Sequence, residues 1–399
     1  MFKPQSTAVI VTLAAVVALG PLSTDMYLPT LPDLTSVFNT STERVQVTLS
    51  VFLYGFAVAQ LIYGPLADRL GRKPVLLAGL ILFTLASYGC SQATTIEQLI
   101  LFRFLQALGA CGGPVLGRTM VRDIHGPVNS AKVLSMMGTI MALAPAIAPI
   151  IGGYMVIWFD WSSTFIFLTC YGIAAILLIT LKIPESLSPE NRSSLKPATI
   201  LSNYSTLFKN RIYLGYSLSC SCVYAGLFAF LSGSSFVLID YFKIQPEHYG
   251  WFYALVTGGY MTGTQIAQRI GPVIGINTLL QRGTLLGAVA GLAMLIPALL
   301  DIHNLWLTIA TQVLFMIAMG IVMPLSMAGA MAPFPAIAGT ASSLLGFIQS
   351  LIAATAGLVV GHYHSGTPTT MAVTIAVMGC FSLLSFAVLV KPATATAKS

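Results

Sequence analysis

Between two strongly apolar stretches the sequence reads GPLADRLGRKP over residues 64–74. Four of these eleven residues are charged, whereas only 8% of the whole chain is charged. Glycine and proline at its start and proline at its end are typical of a turn. The flanking stretches, at about 45–63 and 74–92, are each long enough to cross a bilayer as a helix. The segment therefore predicts a short charged loop between two membrane-spanning helices.

The rest of the chain repeats this apolar pattern. Of its 399 residues, 56% are hydrophobic, and a charged fraction of 8% compares with about 25% in an ordinary soluble domain. This composition excludes a soluble enzyme, a disordered chain and a disulfide-stapled secreted domain. The first stretch lacks a small-residue cleavage site, so we expect a retained helix rather than a signal peptide. We predict an all-α membrane protein with twelve transmembrane helices, at about 7–32, 45–63, 74–92, 98–117, 132–157, 162–181, 211–239, 249–267, 278–300, 305–328, 338–361 and 370–390.

The distribution of charge predicts the orientation of these helices. Lysine and arginine beside short loops are retained on the cytoplasmic side during insertion. If the amino terminus is inside, the inner segments contain almost all of the lysine and arginine, and most of the acidic residues lie outside. We therefore expect both termini to be cytoplasmic. The net charge of +7 reflects this topology, so we expect no nucleic-acid partner.

A long polar stretch divides the twelve helices into two sets of six. Residues 182–210 are rich in proline and charge, and they separate an amino-terminal bundle at 1–181 from a carboxy-terminal bundle at 211–399. We interpret residues 182–210 as a cytoplasmic linker. An internal echo supports two pseudo-symmetric halves, because Ala67–Gly71 resembles Ala267–Gly271, 200 residues later. Repeated halves of this kind enclose a cavity near the middle of the bilayer.

Two charged residues fall well inside the predicted membrane helices. Asp25 lies in the first helix between Pro21 and Pro29, and Arg103 lies in the fourth. An ionisable group at such a position is costly unless it faces water or a partner, so a functional role is the default interpretation. Asp25 could carry a proton, because burial and a nearby arginine can together place its titration close to neutral pH. The alternative is a fixed ion pair that only holds two helices together.

Small residues and prolines predict close packing and bending. Gly109, Gly113 and Gly117 recur every four residues in the fourth helix, which lets a neighbouring helix approach closely. Pro145 and Pro149 each free a carbonyl group in the fifth helix, so that helix can bend and act as a gate. Ordinary packing of membrane helices is the alternative for both features.

No pattern in the sequence indicates metal or cofactor chemistry. The six cysteines all fall in apolar stretches, where they are expected to act as small packing residues. We find no zinc pattern, phosphate loop or nucleophile elbow. We therefore expect neither an enzyme nor a cofactor.

Three segments of the sequence resemble motifs of a known family. The loop at 64–74 resembles the signature loop of the major facilitator superfamily, and Arg103 with Gln106 and Gly109 resembles the fourth-helix motif of its proton-coupled members. The fifth helix resembles the antiporter motif, with Ala144 where glycine is usual. The resemblance narrows to the bicyclomycin/chloramphenicol-resistance branch of drug:proton antiporters, through the segments 23–29, 232–237 and 338–344.

The resemblance implies export of small lipophilic compounds, such as chloramphenicol or bicyclomycin, across a bacterial inner membrane. The proton gradient would supply the energy without a cofactor, and the partners would be the drug, protons and the lipid bilayer around a monomer. Asp25 would alternate between proton and substrate, and Arg103 would hold the substrate or tune Asp25. The substrate-binding candidates are Asp25, Tyr27, Tyr54, Arg103, Gln106, Met136, Phe228 and Phe236.

The resemblance also implies a conformational switch at the inner side. Asp68 would face the amino-terminal end of the eleventh helix, near 335–339, and with Arg72 and Arg118 it would latch one state. The switch candidates are Gly64, Asp68, Arg69, Gly71, Arg72, Arg118, Pro145, Pro149 and Gly153.

Two other functions remain open from the sequence. A proton-coupled importer of a nutrient such as a nucleoside or a sugar would use the same fold. A membrane-embedded enzyme or a sensor would need a nucleophile, a metal cluster or a sizeable soluble domain, whereas the longest predicted loop has about 30 residues.

Overall fold

The computed structural model describes residues 7–187, 190, 197–302, 304–364 and 366–390. Within these residues the chain is helical and contains no strand, which confirms the predicted fold class. The first half contains α1 (Thr7–Val17), α2 (Leu19–Asp25), α3 (Leu31–Val37), α4 (Thr42–Leu70), α5 (Arg72–Ser91), α6 (Ile96–Ala110), α7 (Gly112–Trp158) and α8 (Ser163–Lys182). The second half contains α9 (Pro197–Lys209), α10 (Arg211–Ser235), α11 (Pro246–Ile274), α12 (Ile276–Leu299), α13 (Leu305–Met331), α14 (Ala338–His362) and α15 (Thr369–Ser385).

Most of these helices are long and apolar enough to cross a membrane. Within the described ranges nine helical segments meet that standard, and a tenth does so if the bent pair Ala8–Val17 and Leu19–Val37 is one span. The other two predicted stretches, at 132–157 and 249–267, are also helical, within α7 and α11. Large apolar side chains such as Leu85, Trp158 and Val273 are exposed on the helix surfaces. These surfaces suit contact with lipid.

The first predicted helix is broken in the structure. Its axis bends by 41° between Val17 and Leu19. A separate break follows Asp25, where a 3₁₀ turn at Leu28–Thr30 lies between α2 and α3. Pro21, Pro29 and Pro32 account for the break, because proline lacks the N–H group that an α-helix interior requires. The break places Asp25 at the carboxy-terminal end of α2 instead of in a helix interior.

The fourth and fifth predicted helices are joined by helical backbone. The sequence predicts a loop between 117 and 132, whereas α7 runs from Gly112 to Trp158. The polar residues of this segment indicate where the chain leaves the bilayer, but they do not require the helix to end there. Hydropathy therefore predicted both spans correctly but wrongly predicted a loop between them.

The chain contacts divide the protein into two compact units. The first unit comprises Met1–Ser41 and Val51–Lys196, and the second comprises Thr42–Ser50 and Pro197–Ser399. Within the first unit, α5 packs against α6 and α8, and α1 packs against α7. Within the second, α10 packs against α13, α14 and α15, and α12 packs against α13 and α15.

In both halves a glycine with a positive φ angle joins two consecutive helices, and we call this glycine a backbone corner. Its position differs from the one that the repeated sequence predicts. Gly71 precedes α5 with φ +104° and ψ 154°, and Gly275 precedes α12 with φ +87° and ψ 146°. Residues other than glycine are strained at these positive φ angles. Gly275, and not the predicted Gly271, therefore corresponds to Gly71. The sequence echo missed this register because it followed residue identity rather than backbone conformation.

Candidate functional site

A carboxyl group lies at the break in the first span. Asp25 is the last residue of α2 and is 4% exposed. The Thr24 hydroxyl donates a hydrogen bond of 3.0 Å to its Oδ1 atom. Within the described part of the chain, no lysine, arginine or histidine nitrogen lies within 4.0 Å of this carboxyl group. The fixed ion pair considered as an alternative from the sequence is therefore not formed here.

Arg103 instead binds the backbone of the broken helix. This residue of α6 is fully buried, and its Nη1 atom donates to the carbonyl oxygen of Ser23 at 2.9 Å. The same nitrogen donates to Gln106 Oε1 at 2.7 Å, and Gln106 Nε2 donates to Ser87 Oγ at 2.8 Å. The guanidinium group thus contacts the chain two residues before Asp25. The structure brings Arg103, Gln106 and the Ser23 carbonyl together, and the roles predicted for Arg103 and Asp25 stay predictions.

Three aromatic rings surround the Arg103 guanidinium group. Its central carbon lies 4.5 Å from the ring centroid of Phe52, 4.8 Å from that of Tyr27 and 5.8 Å from that of Phe165. Such contacts stabilise a cation that is removed from water. Tyr27 was a predicted site residue, but Phe52 and Phe165 were not, because phenylalanine in an apolar helix carries no distinguishing signal.

The guanidinium group also keeps hydrogen-bonding capacity. Arg103 Nε and Nη2 are buried and donate to no described residue. A ligand oxygen could accept from either nitrogen, because a guanidinium group presents its donors in one plane. The geometry therefore combines a permanent cation, a nearby carboxyl group and an aromatic lining.

The remaining predicted binding residues are placed in several parts of the chain. Tyr54 is half-buried on α4. Phe228 and Phe236 are buried in the second unit, where Phe228 packs against Tyr224 with ring centroids 4.9 Å apart. Met136 lies on α7, but its side chain is outside the described part of the structure. Their roles in binding therefore stay predictions.

Phe236 lies beside a histidine in the second unit. The ring centroids of Phe236 and His364 are 5.5 Å apart. His364 follows the end of α14, where burial lowers the pKa of its imidazole while Asp240 opposes that shift. This environment favours neutral His364 near pH 7.

The segment at 64–74, which the sequence predicts as a loop, is helical except at Gly71, because α4 continues to Leu70 and α5 begins at Arg72. It is part of a charged network in the first unit. Asp68 and Arg72 form an ion pair across one helical turn, and Arg72 Nε lies 3.3 Å from Asp123 Oδ2. The Ser186 hydroxyl donates to the same Asp123 oxygen at 3.1 Å. Asp68 and Arg72, both predicted switch residues, are therefore in contact. The predicted approach of Asp68 to the eleventh helix stays a prediction.

A carboxylate that the sequence analysis did not select caps α5. Glu185 accepts hydrogen bonds from the backbone N–H groups of Arg72 at 3.1 Å and Lys73 at 3.2 Å. Lys73 Nζ donates in return to the carbonyl oxygens of Thr180 at 2.9 Å and Ile183 at 2.7 Å. A carboxylate is favoured at a helix amino terminus and an ammonium group near a carboxy terminus. These contacts attach the first turn of α5 to the end of α8.

The other predicted switch residues occupy varied surroundings. Arg69 and Arg118 are exposed, and Gly64 is half-buried. Pro145 and Pro149 lie within α7, and their predicted gating role, like that of Gly153, stays a prediction.

Glycines of α6 and α7 make the predicted close approaches. A Cβ atom on Gly113 would meet the carbonyl oxygen of Val16, and one on Gly152 would meet that of Met26. A Cβ atom on Gly109 would meet the backbone of α5. Gly152, beside the predicted Gly153, therefore lets α7 approach the turn that follows α2.

Comparisons with known proteins agree with this architecture. The sequence profile of the Major Facilitator Superfamily matches residues 13–358. A bicyclomycin resistance protein homolog from Haemophilus influenzae is 31% identical over 388 residues, which cover 97% of both chains. Multidrug resistance protein D from Escherichia coli is 29% identical and covers 88% of both chains. The solved D-xylose-proton symporter superposes with a TM-score of 0.75 at 16% identity, covering 97% of this chain and 98% of that one.

Proposed function

The chain belongs to the major facilitator superfamily, and we propose that it is a proton-coupled multidrug efflux antiporter of the bacterial inner membrane. It is a multi-pass membrane transporter and not an enzyme. Its substrates would be small lipophilic compounds of the chloramphenicol or bicyclomycin kind. Transport would proceed by alternating access, with the proton gradient as energy source and no cofactor, in a monomer whose two termini are cytoplasmic.

The match of relatives named for drug resistance to nearly the whole chain carries this proposal. A buried carboxyl group beside the break in the first span supports it. The match to the resistance protein homolog covers 97% of both chains. Asp25 is 4% exposed, and its one described hydrogen bond comes from Thr24. A carboxyl group that is not held by a cation can exchange its proton when the site opens to water.

Arg103 would bind drug oxygen atoms and hold the broken helix. Its Nη1 atom already bonds the Ser23 carbonyl, whereas Nε and Nη2 keep donors for a ligand. Protonation of Asp25 would change the charge beside this group and so favour release of the drug. Tyr27, Phe52 and Phe165 would give the apolar contacts that lipophilic compounds need.

Directional transport tests the proposal. Purified protein is reconstituted into proteoliposomes, a pH difference of either sign is imposed, and the movement of radiolabelled chloramphenicol is followed. Antiport predicts that the drug accumulates in the more acidic compartment. Each unit of pH difference supplies about 1.4 kcal/mol per proton, which corresponds to about tenfold accumulation of an uncharged drug. Accumulation of the solute in the more alkaline compartment would identify a proton-coupled importer instead.

A growth assay broadens the substrate test. Cells that lack their own efflux pumps express the protein and are exposed to a panel of uncharged antibiotics, including bicyclomycin. The proposal predicts raised inhibitory concentrations for several of these drugs. No resistance to any drug of the panel, in cells with normal protein levels, would contradict multidrug efflux.

A further inference from the structure

The two units repeat one contact between helices in the same register. In the first unit, a Cβ atom on Gly55 of α4 would lie 2.8 Å from the carbonyl oxygen of Phe104 in α6. In the second unit, a Cβ atom on Gly259 of α11 would lie 2.6 Å from the carbonyl oxygen of Val313 in α13. The spacing between these two glycines equals the spacing between the two backbone corners. The corners and the glycine contacts therefore define one repeat, in which α4 and α6 correspond to α11 and α13.

Gln312 is the counterpart of Arg103 in this repeat. Each of the two directly precedes the residue whose carbonyl oxygen meets the glycine. The starts of the helices agree with this register, because Thr95 caps α6 and Asn304 caps α13, each eight residues before this position. The second unit therefore has a neutral amide at the position where the first unit has a permanent cation.

The Gln312 amide has no hydrogen-bond partner among the described residues. Its side chain is fully buried, and neither Oε1 nor Nε2 bonds to a described atom. Arg103, in contrast, donates two hydrogen bonds from Nη1. A buried amide without partners costs free energy, because it has given up its hydrogen bonds to water. Within the described chain Gln312 therefore holds no neighbouring helix by a hydrogen bond, and both its donor and its acceptor could bind a ligand.

Three methionines lie on the same face of α13 as Gln312. They follow it by about one, two and three helical turns, and they are Met316, Met319 and Met323, which we call the methionine surface. The surface is turned towards α11, because the Tyr260 hydroxyl donates to Met323 Sδ at 3.9 Å and a Cβ atom on Gly259 would lie 3.3 Å from that of Met316. Methionine is flexible and fills irregular spaces, so this surface can adapt to ligands of different shape.

We propose that Gln312 binds uncharged drugs that have an amide N–H group, and that the methionine surface contacts their apolar part. Gln312 Oε1 would accept from the drug N–H group, and Nε2 would donate to an oxygen atom of the same drug. The inference rests on the proposed function, because it concerns what the same transporter selects. A site with hydrogen-bonding groups discriminates against compounds that lack the matching group, which an apolar surface cannot do as strongly.

Replacing Gln312 with methionine tests the proposal on purified protein in detergent. Gln312→Met keeps about the volume of the side chain, removes the unpartnered amide and extends the methionine surface. The melting temperature should therefore rise by about 2 °C, whereas the dissociation constant for radiolabelled chloramphenicol, measured by equilibrium dialysis, should rise about tenfold. Gln281→Met makes the same change at an exposed position of α12, so it should alter neither value.

A second probe separates contact with the drug from a change in protein structure. Chloramphenicol methylated at its amide nitrogen lacks the N–H group but keeps the other groups of the drug. The wild-type protein should bind this compound about tenfold more weakly than chloramphenicol, whereas Gln312→Met should bind the two equally. A structural disturbance would weaken both compounds alike and preserve their ratio.

Other results would overturn the proposal. A lower melting temperature of Gln312→Met, or its failure to fold, would mean that the amide stabilises the protein. No binding of chloramphenicol to the wild type, equal binding of the two compounds to it, or the same ratio in Gln312→Met would exclude contact between Gln312 and the drug amide.

The binding measurements need no proton gradient, so they separate this inference from the proposed function. A protein that shows the expected binding but exports no drug would contradict the proposed function alone. Drug export by a protein whose binding ratio is unchanged in Gln312→Met would contradict this inference alone.

Discussion

At the residue scale, Asp25 and Arg103 are buried in different ways. Arg103 has two hydrogen bonds from Nη1 and three surrounding rings, whereas Asp25 has the Thr24 hydroxyl. Arginine cannot release its proton at any physiological pH. The charge of this site can therefore change through Asp25, and we propose separate roles for the two residues.

Replacing Asp25 with asparagine tests the proton-carrying role. Asp25→Asn keeps the size of the side chain and an acceptor for Thr24 but cannot titrate. We expect proton-driven drug uptake into inverted vesicles to fall to the level of vesicles without the protein, while drug binding is partly retained. Asp33→Asn, at an exposed position of α3, is the control and should transport normally. Proton-driven uptake that persists in Asp25→Asn would exclude this role.

Replacing Arg103 separates geometry from charge. Lysine keeps the positive charge but lacks the planar group that stacks on Phe52 and bonds both Ser23 and Gln106. We expect Arg103→Lys to lose about tenfold or more in transport, nearly as much as Arg103→Ala. Arg282→Lys, at an exposed position of α12, should have little effect. Near-normal transport in Arg103→Lys would mean that charge alone is needed.

At the element scale, the ends of α4, α5 and α8 are held together by charge. Asp68 and Arg72 pair beside Asp123, and Glu185 caps the first turn of α5. These contacts are at least partly exposed, so each contributes little to stability. A functional role for these contacts therefore requires that they form in one conformational state and break in another.

Asp68→Asn tests the switch role of the segment at 64–74. Because the Asp68 side chain is 46% exposed, we expect normal insertion and a nearly unchanged melting temperature. Turnover should fall about fivefold or more if the lost charge stabilised one conformational state. Asp301→Asn is a suitable control, since this exposed residue has φ +54°, which asparagine accepts. Equal turnover at matched expression would remove Asp68 from the switch.

The two backbone corners predict a stability effect. Alanine at Gly71 or Gly275 would be strained at φ +104° or +87°, with a cost of about 1–3 kcal/mol. Thermal unfolding in detergent should therefore show a lower melting temperature for both variants. Gly258→Ala, in the interior of α11 with free space around it, should be neutral or slightly stabilising. Unchanged melting of both corner variants would contradict the shared corner.

The sequence predicted the existence of the helices better than it predicted where they end and which side chains they bring into contact. Hydropathy located the spans, because a membrane helix must be apolar along its length. Hydropathy did not predict the break that puts Asp25 at the end of α2, although Pro21 and Pro29 lie on either side of this residue. It also missed Phe52 and Phe165 around Arg103, because contacts between distant apolar helices leave no local pattern.

At the scale of the whole molecule, charge asymmetry predicts which side each loop faces. The proposal that both termini are cytoplasmic rests on the lysine and arginine distribution alone. Alkaline phosphatase fused after residue 399 should be inactive, because this enzyme folds only outside the cytoplasm. The same enzyme fused after Asp160, in a predicted outer loop, should be active. The reverse pattern would invert the proposed topology.

The environment of Arg103 has an electrical consequence for transport. No acidic oxygen lies within 4.0 Å of its guanidinium group in the described chain, so this site adds one fixed positive charge to the variable charge of Asp25. The pair is neutral with Asp25 ionised and carries +1 when Asp25 is protonated. With an uncharged drug, the membrane voltage therefore acts on the proton-loaded step and not on the drug-loaded step. Moving that charge inward through 100 mV releases about 2.3 kcal/mol. A drug with one positive charge would instead leave against the voltage, so hyperpolarised cells should export neutral antibiotics more effectively than cationic ones.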